Sequence, residues 1–104
     1  MIVRIWHGRT PKHKADAYVE FTNSKAIPDY QSIPGNLGMT FLKRDEGDVT
    51  HFLLITYWDS YDSIKKFAGS NPEVAKYYTE DDDFLLEKEP TVAHYEVFFD
   101  NIRK

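Results

Sequence analysis

Histidine is the residue type in this chain best suited to accept a proton near neutral pH. The four histidines are His7, His13, His51 and His94. No pair has the short spacing of a helical metal-binding motif, so the sequence predicts no metal site. His13 is expected in solvent. The other three fall in predicted strands, where a histidine is either a proton acceptor or a hydrogen-bonded structural residue. We take His7 and His94 as candidate catalytic bases.

Aromatic side chains make up 15% of the chain. Aromatics in excess of what a core needs line ligand pockets or oligomer interfaces, and the alternative is that they are simply core. The candidates for contact with a small aromatic substrate are Trp6, Tyr57, Trp58, Phe67 and Tyr77. For Trp58 the alternative is a core anchor between strand and helix. The chain has no Gly-rich phosphate loop, nucleophile elbow or paired-carboxylate motif.

Composition excludes several classes of protein. The net charge of −4 argues against nucleic-acid binding, which needs a basic patch. No apolar run reaches the roughly 20 residues of a membrane span. The N-terminus lacks the layout of a signal peptide, and the absence of Cys excludes disulfides and thiol chemistry. We therefore expect a cytoplasmic protein, with residues 1–104 forming a single domain.

The segment His51–Trp58 predicts a central strand, because it is rich in aromatic and β-branched residues and lacks Pro and Gly. Alternation places Phe52, Leu54, Thr56 and Trp58 on one face and His51, Leu53, Ile55 and Tyr57 on the other. Both faces are largely apolar, so the pattern does not decide which one meets the helices. A chain this short covers one face itself, and we expect a second copy to cover the other.

The remaining elements follow from punctuation and periodicity. A first strand is predicted over Ile2–Gly8, and Thr10-Pro11 has the form of a helix start. Pro28 is expected to end that helix near Ile27. A hairpin is predicted next, with strands Met39–Arg44 and Val49–Trp58 joined by a turn in which Gly47 has positive φ. A helix follows, capped by Asp59 or Ser60 and ended by Gly69. The rest is predicted to be a short helix Asn71–Tyr78, a solvated acidic loop Glu80–Asp83 and a last strand Thr91–Phe99.

The predicted order is β-α-β-β-α-β, the α+β ferredoxin-like arrangement. It places four antiparallel strands beneath helices on one face. The other sheet face stays open, and two such faces packed together make a barrel-like homodimer.

Three stretches of the sequence resemble the antibiotic biosynthesis monooxygenase family of small dimeric α+β barrel proteins. They are Trp58 with the following Asp-Ser-Tyr-Asp-Ser-Ile, the stretch Phe67-Ala-Gly-Ser-Asn-Pro, and His94-Tyr-Glu-Val in the last strand. The resemblance covers nearly the whole chain. It implies the fold more firmly than the activity, because one fold hosts many functions.

The resemblance implies two kinds of activity. Haem-degrading relatives use an Asn on the first strand and a Trp and a His in the second helical region. By position these would be His7, Phe67 and either Tyr77 or Tyr78, so none of the three is retained. Cofactor-free oxygenases of the family use mainly Asn, Trp, Arg and Tyr, and this chain offers Arg4, Trp6, Tyr57 and Trp58.

The sequence therefore favours a monooxygenase that needs no cofactor and acts on a small aromatic or polyketide-like substrate. The rival hypothesis is a non-catalytic dimeric protein that binds a small apolar ligand or supports another enzyme. An enzyme of this kind needs a cavity of a few hundred cubic ångströms with converging polar groups, whereas a structural dimer would be packed solid.

Overall fold

The computed structural model describes residues 1–101. Its regular elements are the strands β1 (Ile2–Pro11), β2 (Asn36–Glu46), β3 (Val49–Trp58) and β4 (Ala93–Glu96) and the helices α1 (Ala15–Phe21), α2 (Ile27–Gln31) and α3 (Tyr61–Ala68). The strands form one antiparallel sheet in the order β2-β3-β1-β4. This is the predicted ferredoxin-like α+β fold, and the sequence-based fold class is confirmed.

Burial distinguishes the two faces of the sheet. Phe52, Leu54, Thr56 and Trp58 are buried beneath the helices, whereas Leu53 is 37% exposed on the other face. The two tryptophans, Trp6 on β1 and Trp58 on β3, thus lie on the helix side. We call the opposite face the open sheet face. This arrangement settles the choice that the apolar character of both faces had left undecided.

Strand β1 is longer than predicted, and the helix start expected at Thr10-Pro11 is wrong. Thr10 pairs with Thr50 and Pro11 with Val49, and the Lys12 amide then donates to the Asp48 carbonyl at 2.8 Å. Ladder pairing with β3 therefore outweighs the local capping signal. A 3-10 turn over Lys12–Lys14 follows, and α1 begins only at Ala15.

The first helical region does not end at Pro28. After α1 the chain forms a π-helical turn over Thr22–Ala26 and continues as α2 to Gln31. Proline has no amide hydrogen and its ring crowds the preceding turn. The widened turn places Pro28 in the first turn of α2, where both features are tolerated. Helical spacing predicts an inward stripe of Ala15, Tyr18, Phe21, Thr22 and Ala26, of which Phe21 is half-buried and the other four are buried.

The signals around α3 are confirmed. The Ser60 side chain accepts a hydrogen bond from the Ser63 amide at the N-terminus, and Gly69 follows the C-terminus with φ of 98°. Gly47 in the β2–β3 turn has φ of 60°, as predicted. Strand β2 is longer than predicted, and β4 is shorter.

The predicted helix over Asn71–Tyr78 is wrong. Val74 forms an isolated bridge with Thr91, the Ala75 amide donates to the Pro90 carbonyl, and the Val92 amide donates to the Glu73 carbonyl. Backbone hydrogen bonds between residues 73–75 and residues 90–92, just before β4, therefore replace the hydrogen bonds of a helix. The acidic stretch forms a 3-10 turn over Thr79–Asp83 that contains the buried Asp81, so it is not simply a solvated loop.

Candidate functional site

Most of the predicted substrate-contacting aromatics lie in the core on the helix side. Trp6, Trp58 and Phe67 are 5%, 0% and 6% exposed. Trp6 contacts Tyr77 edge-on, with ring centroids 6.2 Å apart, and Trp58 lies 6.0 Å from Phe67. Trp58 thus fits the core-anchor interpretation. Tyr77 is half-buried and donates through its hydroxyl to the Glu89 carbonyl at 2.5 Å.

His94 is enclosed next to a buried arginine. It pairs across β4 and β1 with Arg4, whose guanidinium lies 3.4 Å from the His94 ring. The imidazole side chain is 2% exposed, and its other nitrogen lies 3.5 Å from a Glu73 carboxylate oxygen. Burial, and then the positive charge of Arg4, lower the pKa of His94 below its usual value. A neutral ring this enclosed does not reach a substrate in the structure as it stands.

Arg4 is positioned by the irregular chain that follows α3. Its guanidinium donates to the Pro72 carbonyl at 2.5 Å and to the Val74 carbonyl at 3.2 Å, and it lies 5.8 Å from the centre of the Phe67 ring. Burial lowers the pKa of Arg4. These contacts make Arg4 a link between β1 and the segment after α3, with no free face toward a ligand.

An apolar cleft opens between the first helical region and the strands β2 and β3. It has a volume of about 300 Å³. One wall is the π-helical turn and its flanks, and the other is the helix-side face of the sheet. Its walls include Val19, Ile27, Met39, Phe41, Phe52 and Leu54, and its polar lining residues are Thr22, Asn23 and Lys43. We call this the helix-side cleft.

A narrower crevice lies behind Leu54, which lines both spaces. Its volume is only about 20 Å³, the space of about one water molecule. The space between helices and sheet is therefore nearly filled by aromatic side chains at this point. The crevice is lined by Trp6, Tyr18, Tyr30, Tyr78 and Asp81, among others.

Asp81 is the buried carboxyl of this crevice, and sequence reasoning missed it. The residue is 3% exposed, and its Oδ2 accepts the Tyr78 amide at 2.7 Å. Burial raises the pKa of Asp81, and it also raises the pKa of Tyr30, to about 12. Asp81 stands within a run of four acidic residues, and only its spacing from the start of the 3-10 turn distinguishes it there.

His7 lies on the open sheet face, away from the helix-side cleft. One ring nitrogen contacts the Glu89 carboxylate, and the other lies 3.0 Å from a ring nitrogen of His51. His51 in turn lies 3.1 Å from Glu46. The two histidines border an apolar concavity of about 440 Å³ together with Leu42 and Leu53.

The structure divides the predicted site residues between the two faces. Trp6, Trp58, Phe67 and His94 are on the helix side. Tyr57 is on the open sheet face with His7, but it pairs with Val3, whereas His7 pairs with Leu53 further along the same two strands. The two candidate bases therefore cannot act on one bound substrate in a single chain.

No three His, Cys, Asp or Glu side chains within residues 1–101 are grouped so as to hold a metal ion. Within the same range, no helix has the length and apolar character needed to cross a membrane.

Comparison with solved structures defines the fold class further. A variant of MhuD, solved with two manganese protoporphyrin IX molecules per active site, superposes with a TM-score of 0.64 at 17% identity, over 99% of this chain and 100% of that one. A candidate antibiotic biosynthesis monooxygenase from Bacillus cereus gives a TM-score of 0.66 at 14% identity, over 98% and 97% of the two chains.

These matches show that the chain has the fold of the antibiotic biosynthesis monooxygenases, which confirms at the level of fold the resemblance inferred from the sequence. No family model matches the sequence, and no curated protein matches it. The identities are low enough that the fold is what the two structures share, and activity has to be argued from the site.

Proposed function

We propose that this protein binds a small, flat aromatic or polyketide-like molecule in the helix-side cleft and oxygenates it without a cofactor. The observation that carries the proposal is the cleft itself, about 300 Å³ of mostly apolar space beside the π-helical turn. Ligand sites are typically concave and apolar, with few polar groups, and π-helical turns are frequent at functional sites. The proposed ligand meets the apolar walls with its ring faces.

Lys43 gives the cleft its chemistry. Lys43 is the charged side chain among the described residues that line the cleft. Its ammonium group favours the deprotonated form of a bound phenol or anthrone-like ring. The deprotonated ring transfers electrons to dioxygen, a carbon–oxygen bond forms, and the resulting hydroperoxide loses water to leave a carbonyl. The substrate supplies both electrons, so one oxygen atom is incorporated and the other leaves as water.

The solved neighbours support this proposal in different degrees. One is described as a candidate antibiotic biosynthesis monooxygenase, which agrees with the proposed reaction. The other holds manganese protoporphyrin, which shows that this fold can admit flat, largely apolar molecules. The described lining of the cleft includes no His, Tyr or Cys to ligate haem iron, so we do not extend porphyrin binding to this chain.

The test combines binding with oxygen uptake. A panel of hydroxylated naphthalenes and anthrones is titrated while protein fluorescence is followed, and dioxygen consumption is measured with each ring that binds. Lys43→Gln is expected to weaken binding of the anionic ring by up to about fivefold, since exposed charges contribute up to about 1 kcal/mol. Arg44→Gln is the matched control, because Arg44 is adjacent in sequence but points to the other face of β2.

Each outcome separates the alternatives. Binding with oxygen uptake, both reduced by Lys43→Gln and not by Arg44→Gln, supports the proposal. Binding in the cleft without oxygen uptake identifies a non-catalytic ligand-binding protein, the rival hypothesis. Absence of binding across the panel excludes the cleft as the site for this class of ligand.

A second candidate site has its own supporting observation. Glu89 holds the His7 ring beside the apolar concavity of about 440 Å³ on the open sheet face. A carboxylate that orients a histidine is a common arrangement for a general base. Under this alternative the substrate lies on the open sheet face. His7→Ala would then abolish oxygen uptake, and Arg44→Gln would weaken substrate binding, because Arg44 borders the concavity and not the cleft.

We also propose a homodimer through the open sheet face. The face carries Val3, Ile5, Leu53 and Ile55 on its two central strands and Tyr95, which is 59% exposed, on β4. A cluster of partly exposed apolar side chains of this kind is typical of an interface between chains. In such a dimer the second sheet would close the concavity beside His7.

A further inference from the structure

A chain of four titratable side chains crosses the open sheet face, and it plays no part in the cleft proposed above. It runs from Glu89 through His7 and His51 to Glu46. Glu89 lies in the segment before β4, the histidines lie on the neighbouring strands β1 and β3, and Glu46 ends β2. We call it the Glu–His–His–Glu chain. This chain of side chains runs across the open sheet face, from the end of β2 to the segment before β4.

The contacts in this chain have hydrogen-bond geometry. The His7 and His51 rings approach through two nitrogens at 3.0 Å, with ring planes 25° apart, and His51 lies 3.1 Å from Glu46. The contact between Glu89 and His7 is shorter still. Each histidine therefore uses both of its nitrogens, one toward a carboxylate and one toward the other histidine.

Counting protons shows what this chain requires. A carboxylate only accepts, so each outer imidazole nitrogen must carry a hydrogen, and the contact between the two rings needs a third. Two neutral imidazoles carry one hydrogen each. We propose that His7 and His51 form a proton-binding site that holds one shared extra proton, so that the pair carries a single positive charge while the chain is intact.

The surrounding charges favour this state. Glu46 and Glu89 place a negative charge at each end of the pair. Of the nearby cations, Arg9 is paired with Glu87 at 2.6 Å, and Arg44 lies 3.7 Å from Glu46. Lys43 also borders the concavity. One positive charge between two carboxylates is the balanced arrangement, since a second would place two cations in contact.

The extra proton fastens the segment before β4 to the sheet. Loss of the third proton as pH rises leaves one of the three contacts without a hydrogen. Addition of a fourth proton at low pH sets two N–H groups against each other between the rings. The chain is therefore complete only over an intermediate range of pH, with proton exchange shared by the two rings as a coupled pair.

Nitrogen-detected NMR of the imidazole rings tests the proton count. The expected result is three ring protons on His7 and His51 together over part of the pH range, with the two rings titrating in coupled steps. In the His51→Ala variant, His7 should titrate in a single step. His13, which is exposed and outside the chain, provides the reference within the same spectra. The proposal would be overturned if His7 and His51 titrated independently of each other and if both rings were neutral at every pH above the midpoint measured for His13.

Hydrogen exchange tests the fastening independently of activity. The Leu86 amide donates to the Arg9 carbonyl at 2.9 Å and reports on the segment that carries Glu89. Its protection factor, corrected for intrinsic exchange, is expected to fall about tenfold as the third proton leaves. His51→Ala should remove that pH dependence, whereas His13→Ala should preserve it. Sedimentation at each pH checks that association stays constant, and a protection factor that does not change across the titration would contradict the proposal.

Discussion

Arg4 shows how a single charged residue organises the helix side of this fold. It is 1% exposed, and its guanidinium is bound by two backbone carbonyls of the segment after α3. Those carbonyls are thereby satisfied without a helix, which is one reason that the predicted Asn71–Tyr78 helix does not form. Alternation along β1 places Arg4 on the same strand face as Trp6, but the sequence contains no signal for these partners, which lie about 70 residues away in the chain.

Replacing Arg4 with Met should therefore be costly. Methionine keeps much of the apolar volume but leaves the Pro72 and Val74 carbonyls without their donor. We expect Arg4→Met to reduce the free energy of unfolding by about 3 kcal/mol, measured by urea denaturation. Arg44→Met is the matched control on an exposed strand position and should change it by less than about 0.5 kcal/mol. Equal effects of the two variants would show that the buried contacts do not stabilise the fold.

His94 should make stability depend on pH in a defined direction. Its pKa in the folded chain is lowered by burial and by Arg4, so the unfolded chain binds a proton more readily. The contribution of His94 to stability is therefore complete above about pH 6.5 and is lost as the pH falls toward the folded pKa. His94→Gln should reduce the loss of unfolding free energy between about pH 7.5 and about pH 5, whereas His13→Gln should not.

At the scale of secondary-structure elements, short sequence patterns correctly predicted the elements that depend on interactions between neighbours in sequence. Alternation, turn glycines and the Ser60 cap predicted β3, the hairpin and α3, because each depends on neighbours in the sequence. The extension of β1 through Pro11 and the π-helical turn before Pro28 depend on pairing and packing with distant residues. The same holds for the segment between α3 and β4, whose backbone bonds to residues 90–92 and to Arg4.

The candidate site was less predictable than the fold for the same reason. The sequence singles out aromatic residues and strand histidines as candidates, but their assignment to faces requires the buried side of the sheet to be known. The Glu–His–His–Glu chain joins residues far apart in sequence, since His7 contacts both Glu89 and His51. No spacing rule marks such contacts, because their partners meet only after the sheet has formed.

The irregular segment after α3 is held to the first helical region by Tyr78. Its hydroxyl donates to Asp29 at 2.5 Å, and Lys76 donates to the same oxygen at 2.9 Å. Burial acts to raise the pKa of Asp29, but these two hydrogen bonds together lower it, which shows that the carboxylate form is stabilised.

Tyr78→Phe should reduce the free energy of unfolding by about 1.5 kcal/mol, the usual contribution of a hydrogen bond to a charged group. It should also lower the protection of the Asp81 amide, which donates to the Tyr78 carbonyl. Tyr61→Phe, at a tyrosine that is 40% exposed, is the matched control and should have little effect. Unchanged protection at Asp81 in the Tyr78 variant would show that the Tyr78 hydroxyl is not needed to hold this segment, which Lys76 and the Lys25–Glu80 ion pair also connect to the first helical region.

At the scale of the whole molecule, the open sheet face is the surface that residues 1–101 leave uncovered. Helices cover only one side of the sheet, while Leu42 and Leu53 on the other side are 44% and 37% exposed. Apolar area of this kind is costly in water, and pairing two identical faces removes it for both chains. We therefore expect sedimentation equilibrium to give twice the 12.2 kDa of one chain.

Leu53→Asp should convert that dimer to a monomer, because it places a charge at the centre of the proposed interface. Val74→Asp is the matched control, since Val74 is 45% exposed and its segment packs on the helix side. It should leave the dimer intact. A wild-type chain that remains monomeric at about 100 µM would show that any self-association is weaker than a typical specific interface. The concavity beside His7 would then stay open to solvent, which would weaken the case for catalysis there and leave the helix-side cleft as the better-shielded site.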